Sequence, residues 1–206
     1  MRIREYRPTD LPYLYDICLR TGDSGRDASA LLPDPFVLGQ YYAAPYAARN
    51  PRCVLILEGD RGSDGVVRPV GYILGTDDTA AYNGWLAAEW LPAAAELYAP
   101  AAAPPGENDD LYARLAGLFR ELPTAPACCG RYPGHIHIDI LPEGQGTGWG
   151  RRLMDAFSER LRSLGCPGFH LGVGAKNGGG IAFYRRYGME ELEAPDWGFV
   201  FGKRLL

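Results

Sequence analysis

The sequence predicts an α/β fold, and three features carry that prediction. Short runs rich in β-branched and aromatic residues alternate with longer runs whose apolar residues recur at helical spacing. Two of the strand-like runs, "CVLILE" and "PVGYILGT", flank a stretch rich in Gly, Asp and Ser, which is the pattern of an antiparallel hairpin. The last third of the chain then runs strand, helix, strand, helix, strand. At 206 residues, 47% of them apolar, the chain can bury a core as one domain over 1–206 that carries an insertion at 80–130.

Each element has a local reason. "RIREY" alternates and reads as a strand; Thr9 or Asp10 then caps a helix with Pro12 in its first turn and Leu11, Leu14, Ile17 and Cys18 on one face. A second helix falls within "PFVLGQYYAAPYAARN", kinked or ended by Pro45. After the hairpin, "AAAELYAPAAAPP" is too rich in breakers for one long helix, so the insertion reads as helix, loop, helix. Its second helix is "NDDLYARLAGLFREL", with acidic residues at the start and Leu111, Leu115, Leu118, Phe119 and Leu122 at helical spacing. An insertion of this size shapes a binding site or an interface, or simply extends the core. "HIHIDIL" is a strand, "WGRRLMDAFSERLRSLG" a helix ended by Gly165, "GFHLGVG" a strand, "IAFYRRYG" a helix capped by Gly188, and "WGFVFGKRL" a final strand.

Composition narrows the function classes. A formal charge of −4 gives no overall attraction to nucleic acid or to an anionic membrane, so neither is an expected partner. No run approaches the roughly 18 apolar residues of a membrane span, and the start lacks an apolar targeting core, so a cytoplasmic protein is expected. Five cysteines without C-x-x-C spacing read as reduced thiols, not as a disulfide framework or a thiolate zinc site. A monomer or a homodimer fits, with the final strand and the insertion as surfaces for pairing.

The chemistry begins at "LPEGQGTGWGRRLM", where Gly144, Gly146, Gly148 and Gly150 lie between a strand and a helix. Free N–H groups and the positive dipole end at a helix start, with no Cβ atoms in the way, suit a phosphate. The dinucleotide pattern G-x-G-x-x-G fails here, because its third glycine falls on Trp149 or Arg151, and the P-loop pattern fails because no Lys follows. Gln145-x-x-Gly148-x-Gly150 instead matches Q/R-x-x-G-x-G/A of the GCN5-related N-acetyltransferases, the GNAT superfamily. Downstream, Asn177, Gly180, Tyr184, Gly188 and Met189 follow N-x-x-A-x-x-x-Y-x-x-x-G-F, with Gly180 in place of Ala and Met189 in place of Phe. Over nearly the whole chain, "EYRPTDLPYLYDICLR", "VGYILGTDD", "HIHIDI" and "FYRRYGM" also resemble the acetyltransferase-like C-terminal domain of O-GlcNAcase, here as a stand-alone relative.

The resemblance implies the GNAT fold: a mixed, mostly antiparallel central sheet flanked by helices, with the helical insertion between the third and fourth strands. It also implies binding of acetyl-CoA by Ile140, Leu141, Gln145, Gly146, Thr147, Gly148, Trp149, Gly150, Arg151, Asn177 and Tyr184. The pyrophosphate would sit on the loop, the pantetheine arm on Asn177 and on backbone freed where the strand of Ile140 splays from its neighbour. Arg152, Arg185 and Arg186 are further candidates for the phosphates, Arg152 and Arg185 being equally readable as solvated helix residues.

Acetyl transfer to an amine needs a base and an acid, since an ammonium with a pKa of about 10.4 must lose a proton and a thiolate of about 8.5 must be stabilised. Alternation places His135, His137 and Asp139 on one face of "HIHIDIL", and Asp139, just before the loop, is the candidate base. Asp139 also reads as a carboxylate bonded to backbone or to a nearby tyrosine, and His137 is the second choice for the base. Tyr184 matches the position whose phenol, in active relatives, protonates the leaving thiolate. Tyr82, Trp85, Trp90 and Tyr98 could line an acceptor pocket, although aromatics at such spacing are more often core. The acceptor, a small amine, an amino sugar or a peptide, is left open. Two other readings are a module that binds acetyl-CoA without turnover, and a metal held by His135, His137 and Asp139, for which no further ligand cluster is evident and His170 lies on another strand.

Overall fold

The computed structural model describes residues 1–98 and 111–205. Strands β1 (Arg2–Glu5), β2 (Val54–Arg61), β3 (Val67–Thr76), β4 (Gly134–Ile140), β5 (Gly168–Gly174), β6 (Glu190–Glu193) and β7 (Gly198–Arg204) form one sheet among the described residues, in the order β1-β2-β3-β4-β5-β7-β6. All neighbours are antiparallel except β4 and β5. Those two pair only at Gly134↔Phe169 and His135↔His170, although β4 runs on to Ile140 and β5 to Gly174, so they diverge toward the glycine loop. The expected mixed, mostly antiparallel sheet and its splay are both present.

Side-chain alternation divides the core between the two faces of the sheet. Val54, Ile56, Tyr72 and Leu74 pack toward α1 (Leu11–Thr21), α2 (Val37–Tyr42), α3 (Ala44–Arg49) and the insertion helices. Leu55, Leu57, Ile73 and Ile136 face Phe157 and Leu161 of α7 (Trp149–Ser163) and Tyr187 of α8 (Gly178–Tyr187). Each such side chain, fully buried, contributes roughly 2 kcal/mol of transfer free energy.

Pro45 acts as its ring requires. The helical run breaks at Ala43 (φ −134°) and restarts as α3 with Pro45 in its first turn, where no N–H is needed. Asp10 precedes α1, but its side chain does not cap that helix; it accepts the Arg7 N–H at 2.7 Å and pairs with Arg4 through both oxygens. Between β3 and β4 the chain forms α4 (Thr79–Trp85), a π-helical turn (Leu86–Trp90), α5 (Leu91–Tyr98) and α6 (Leu111–Leu118). The connecting loop and the acidic start expected for the last helix lie outside the described residues.

Three points add to or narrow the sequence reading. Glu190–Glu193 is a strand that the sequence pattern did not reveal, because four residues of which three are Glu lack β propensity and are held only by pairing with β7. The final strand β7 is flanked by β5 and β6, so neither of its edges is open for dimer pairing. Tyr82, Trp85, Trp90 and Tyr98 belong to the core beneath the insertion: Tyr82 and Tyr98 are 2% and 4% exposed, and the two tryptophans pack against the same cluster. Among the described residues no helix is long and apolar enough to cross a membrane.

Candidate active site

The diverging ends of β4 and β5 open into a cleft of about 1380 Å³ that runs between the start of α7, the start of α8 and the helices over the first core. Nine of the expected site residues line it together: Asp139, Ile140, Gln145, Gly146, Gly148, Gly150, Arg151, Asn177 and Tyr184. Topology explains this convergence, since β4, the glycine loop and α7 are continuous in sequence while β5 delivers Asn177 and α8 to the other lip.

Residues 145–148 are exposed, and Gly146 (φ 74°) and Gly148 (φ 85°) both adopt the left-handed conformation that a side chain resists. A Cβ at either would meet nothing within 4 Å, so the space over the loop is open. The first turn of α7 begins directly after Gly148, and its N–H groups have no partners within the helix. Arg151, Lys176 and Arg186 bring positive charge to the same end. Such a set of amides, dipole and cations fits a diphosphate. Arg151 is braced by the Arg186 carbonyl (3.2 Å) and by the Tyr187 ring (5.2 Å).

Not every expected residue faces the cleft. The Leu141 side chain is 2% exposed in the first core and its N–H donates to the Val70 carbonyl at 2.8 Å, so it offers a ligand no amide. The Trp149 ring packs against the second core under the Arg152 guanidinium (4.6 Å), and the Thr147 hydroxyl donates to the Gly144 carbonyl at 3.3 Å. Gln145 Nε2 donates to the Ile140 carbonyl at 2.7 Å and ties the loop to the end of β4. Asn177 lines the cleft and caps α8 through Oδ1, which accepts the Gly180 N–H at 2.8 Å. Arg185 turns away to Glu191 (2.6 Å), whereas Arg186 stays on the cleft.

Asp139 stands opposite Tyr72 of β3, whose hydroxyl donates to its Oδ2 at 2.7 Å. Burial raises the carboxyl above its ordinary 3.8, tempered by Tyr72 and Thr21, so it is a stronger proton acceptor than a surface aspartate. Tyr184 packs against Phe183 and Phe201 and makes no side-chain hydrogen bond among the described residues. Burial, followed by the nearby Asp139 charge, raises its phenol, which is therefore protonated at neutral pH. His137 also lines the cleft, its ring against Tyr42 and its Nε2 3.1 Å from the Tyr46 hydroxyl. His135 lies deeper, both ring nitrogens engaged by Tyr46 and Thr79. Among the described residues no group of three His, Cys, Asp or Glu is arranged to hold a metal.

The opposite wall was not anticipated. Leu38 and Tyr42 of α2, and Leu111, Arg114, Leu115 and Leu118 of the insertion, close the cleft in place of the aromatics of α4 and α5. The repeat of Leu38 and Tyr42 four residues apart was the available signal, since it puts both on one helix face. Lys176 and Arg26 also escaped notice, Lys176 lying in a Gly-rich stretch and Arg26 in a Gly- and Asp-rich turn, both of which read as loop.

Comparison with known proteins agrees with this geometry. The profile of the Acetyltransferase (GNAT) family matches residues 109–189, which span the end of the insertion, the glycine loop and both motifs. The crystal structure of SsHAT is 33% identical over the whole of this chain and 98% of its own, with a TM-score of 0.87. The fold, at lower identity, is also that of yncA from Salmonella typhimurium with its cofactor acetyl-CoA (16% identity, 100% of this chain and 94% of that one, TM-score 0.54). It is likewise that of the phosphinothricin acetyltransferase from Sinorhizobium meliloti in complex with AcCoA (14%, 98% and 87%, 0.53). With its sheet, its glycine loop and its nearest-matched sequence features in agreement, the chain belongs to the GNAT acetyltransferase family.

Proposed function

We propose that this protein binds acetyl-CoA and transfers the acetyl group to an amine by direct attack in a ternary complex. What carries the reading is one juxtaposition: the exposed glycine loop, the splayed edge of β4, Asp139 and Tyr184 all open onto a single cleft. Acetyl-CoA would supply the acetyl group as a thioester, held by the loop amides, Arg151, Lys176 and Arg186. The residues of the chain then move one proton from nitrogen to sulfur. Asp139 takes it from the attacking amine as the C–N bond forms, and Tyr184 gives its own to the sulfur as the C–S bond breaks, recovering it afterwards. Within the family, the likeness of the segments quoted above supports a kinship with the acetyltransferase-like domain of O-GlcNAcase.

The test is thiol release from acetyl-CoA with a panel of amines, measured above hydrolysis. Tyr184→Phe and Asp139→Asn are each expected to lower kcat by roughly 100-fold or more while leaving acetyl-CoA affinity within a few-fold. Binding of acetyl-CoA with no thiol released from any amine would identify a binding module instead.

A further inference from the structure

The wall of the cleft opposite the glycine loop carries a cation that nothing among the described residues balances. Five Arg and Lys side chains line the cleft among those residues, against a single acid, Asp139. Arg151, Lys176 and Arg186 gather at the glycine loop and the start of α8, where a diphosphate would meet them, and Arg26 is paired with Asp23 at 2.8 Å. Arg114 stands apart from all of these. Its side chain makes no hydrogen bond or ion pair among the described residues, and the residue is exposed.

The place of Arg114 in its helix runs against the usual pattern. Leu111, Leu115 and Leu118 of α6 recur at i, i+4 and i+7 and line the cleft, and Arg114 fills the i+3 position of that same stripe and lines it too. An amphipathic helix ordinarily keeps its charges on the other face. Burial raises the Tyr42 phenol and the Arg114 charge works against that rise, so the guanidinium lies within electrostatic reach of the ring. That ring is 5.6 Å from the ring of His137, which precedes Asp139 on the same face of β4. Glu121 also acts on Tyr42, but it does not line the cleft. A lone cation on a low-dielectric, leucine-lined wall concentrates its field on whatever enters.

We infer that Arg114 is a specificity-determining residue, and that the acceptor carries an anionic group, a carboxylate or a phosphate, on an apolar segment that spaces it from the attacking nitrogen. This deepens the acetyl transfer proposed above and rests on it. The guanidinium fork pairs with the anion, Leu111, Leu115 and Leu118 cover the segment, and the nitrogen is left at the Asp139 end. Acceptors bearing further positive charge, such as diamines or lysine-rich peptides, are repelled by the same group.

Kinetics and binding test this separately. The kinetic probes are straight-chain amines of graded length that end in a carboxylate, a phosphonate, a methylamide or a second amine. At the best length, kcat/KM is expected to favour an anionic end over the methylamide by roughly tenfold or more, with the diamine poorest; the better of the two anions identifies the group. Arg114→Leu, which completes the apolar stripe, is expected to bring that ratio close to one, and Arg114→Lys to keep part of it. A parent without the preference, or one that favours the diamine, would overturn the inference. So would a large loss of acetyl-CoA affinity in Arg114→Leu, read by calorimetry, because Arg114 would then be a ligand of the cofactor's phosphates. The binding readout needs no turnover: hexanoate, titrated into the protein in the presence of CoA, is expected to shift the Arg114 Nε–Hε resonance saturably, and hexanamide is not. Equal shifts with both, or none with hexanoate, would overturn the anion seat. If the parent releases no thiol with any amine, the acetyl-transfer reading falls, and the titration still decides whether Arg114 holds an anion.

Discussion

Tyr72 tunes the group on which proton removal depends. Burial raises the Asp139 carboxyl, and the Tyr72 hydrogen bond is the first influence that brings it back down. Tyr72→Phe withdraws that lowering, so the carboxyl rises further and is ionised only at higher pH. The acid limb of kcat/KM is therefore expected to move to higher pH in the variant; a limb that stays in place would mean that Asp139 is not the base. Gly148 makes a second residue-scale case. Its φ of 85° and open surroundings mean that Gly148→Ala meets no clash but costs about 1 kcal/mol of backbone strain and covers an amide, so acetyl-CoA affinity falls more than stability does. Asp139 was legible in the sequence because alternation along "HIHIDIL" assigns its face. A tyrosine partner was among its readings, but which tyrosine was not legible, because the register that sets Tyr72 opposite Asp139 is a property of the paired strands, 67 residues apart in the chain.

Elements were legible where period and punctuation agree. The hairpin of β2 and β3, helix α7 and the Gly188 stop of α8 follow from alternation, a 3.6-residue apolar stripe and a left-handed glycine. Spacing misleads where one pattern serves two ends: the aromatics of α4 and α5 recur as either core or pocket residues would, and only the packing of the insertion against α1 to α3 decides for core. The π-helical turn from Leu86 to Trp90 likewise has no sequence signal. Helix α8 starts earlier than its apolar pattern suggests, because Asn177 caps it and the three glycines are wound into its first turn. A Cβ on Gly179 would find only Asn177 Oδ1, at 3.9 Å, and its φ is not positive, so nothing in the fold demands glycine there. Gly179→Ala is expected to stabilise the protein by about 0.5–1 kcal/mol in urea unfolding. A loss of stability would mean that the α8 start is strained in a way its contacts do not reveal.

Across the whole molecule, the sheet holds two cores apart and an ion network locks its far edge. Arg4 bonds both oxygens of Asp10 at 2.7 Å and also Glu58, with the Arg4 and Asp10 side chains 13% and 5% exposed. Burial works against the Asp10 charge, but Arg4 and the Arg7 amide outweigh it and hold the carboxyl below 3.8. A depressed carboxyl stabilises the fold above the unfolded value and loses that contribution as pH falls through the folded one. Asp10→Asn is expected to cost about 2 kcal/mol at neutral pH, because it removes one of the two carboxylates that hold a buried guanidinium, and to flatten the acid limb of the stability curve below pH 3.8. A neutral effect in denaturant unfolding would show that the pair is solvent-relaxed. The network and the mouth of the cleft lie at separate places on the sheet, so that substitution should leave ligand affinity intact. Binding and acetyl transfer alike depend on the amides that open α7 gripping a diphosphate. Isothermal titration with acetyl-CoA, set beside acetyl-pantetheine, which lacks the diphosphate, tests this most directly. Saturable heat with acetyl-CoA and none with acetyl-pantetheine at equal concentration is the expected result; equal heats, or no heat from acetyl-CoA at millimolar concentration, would contradict it.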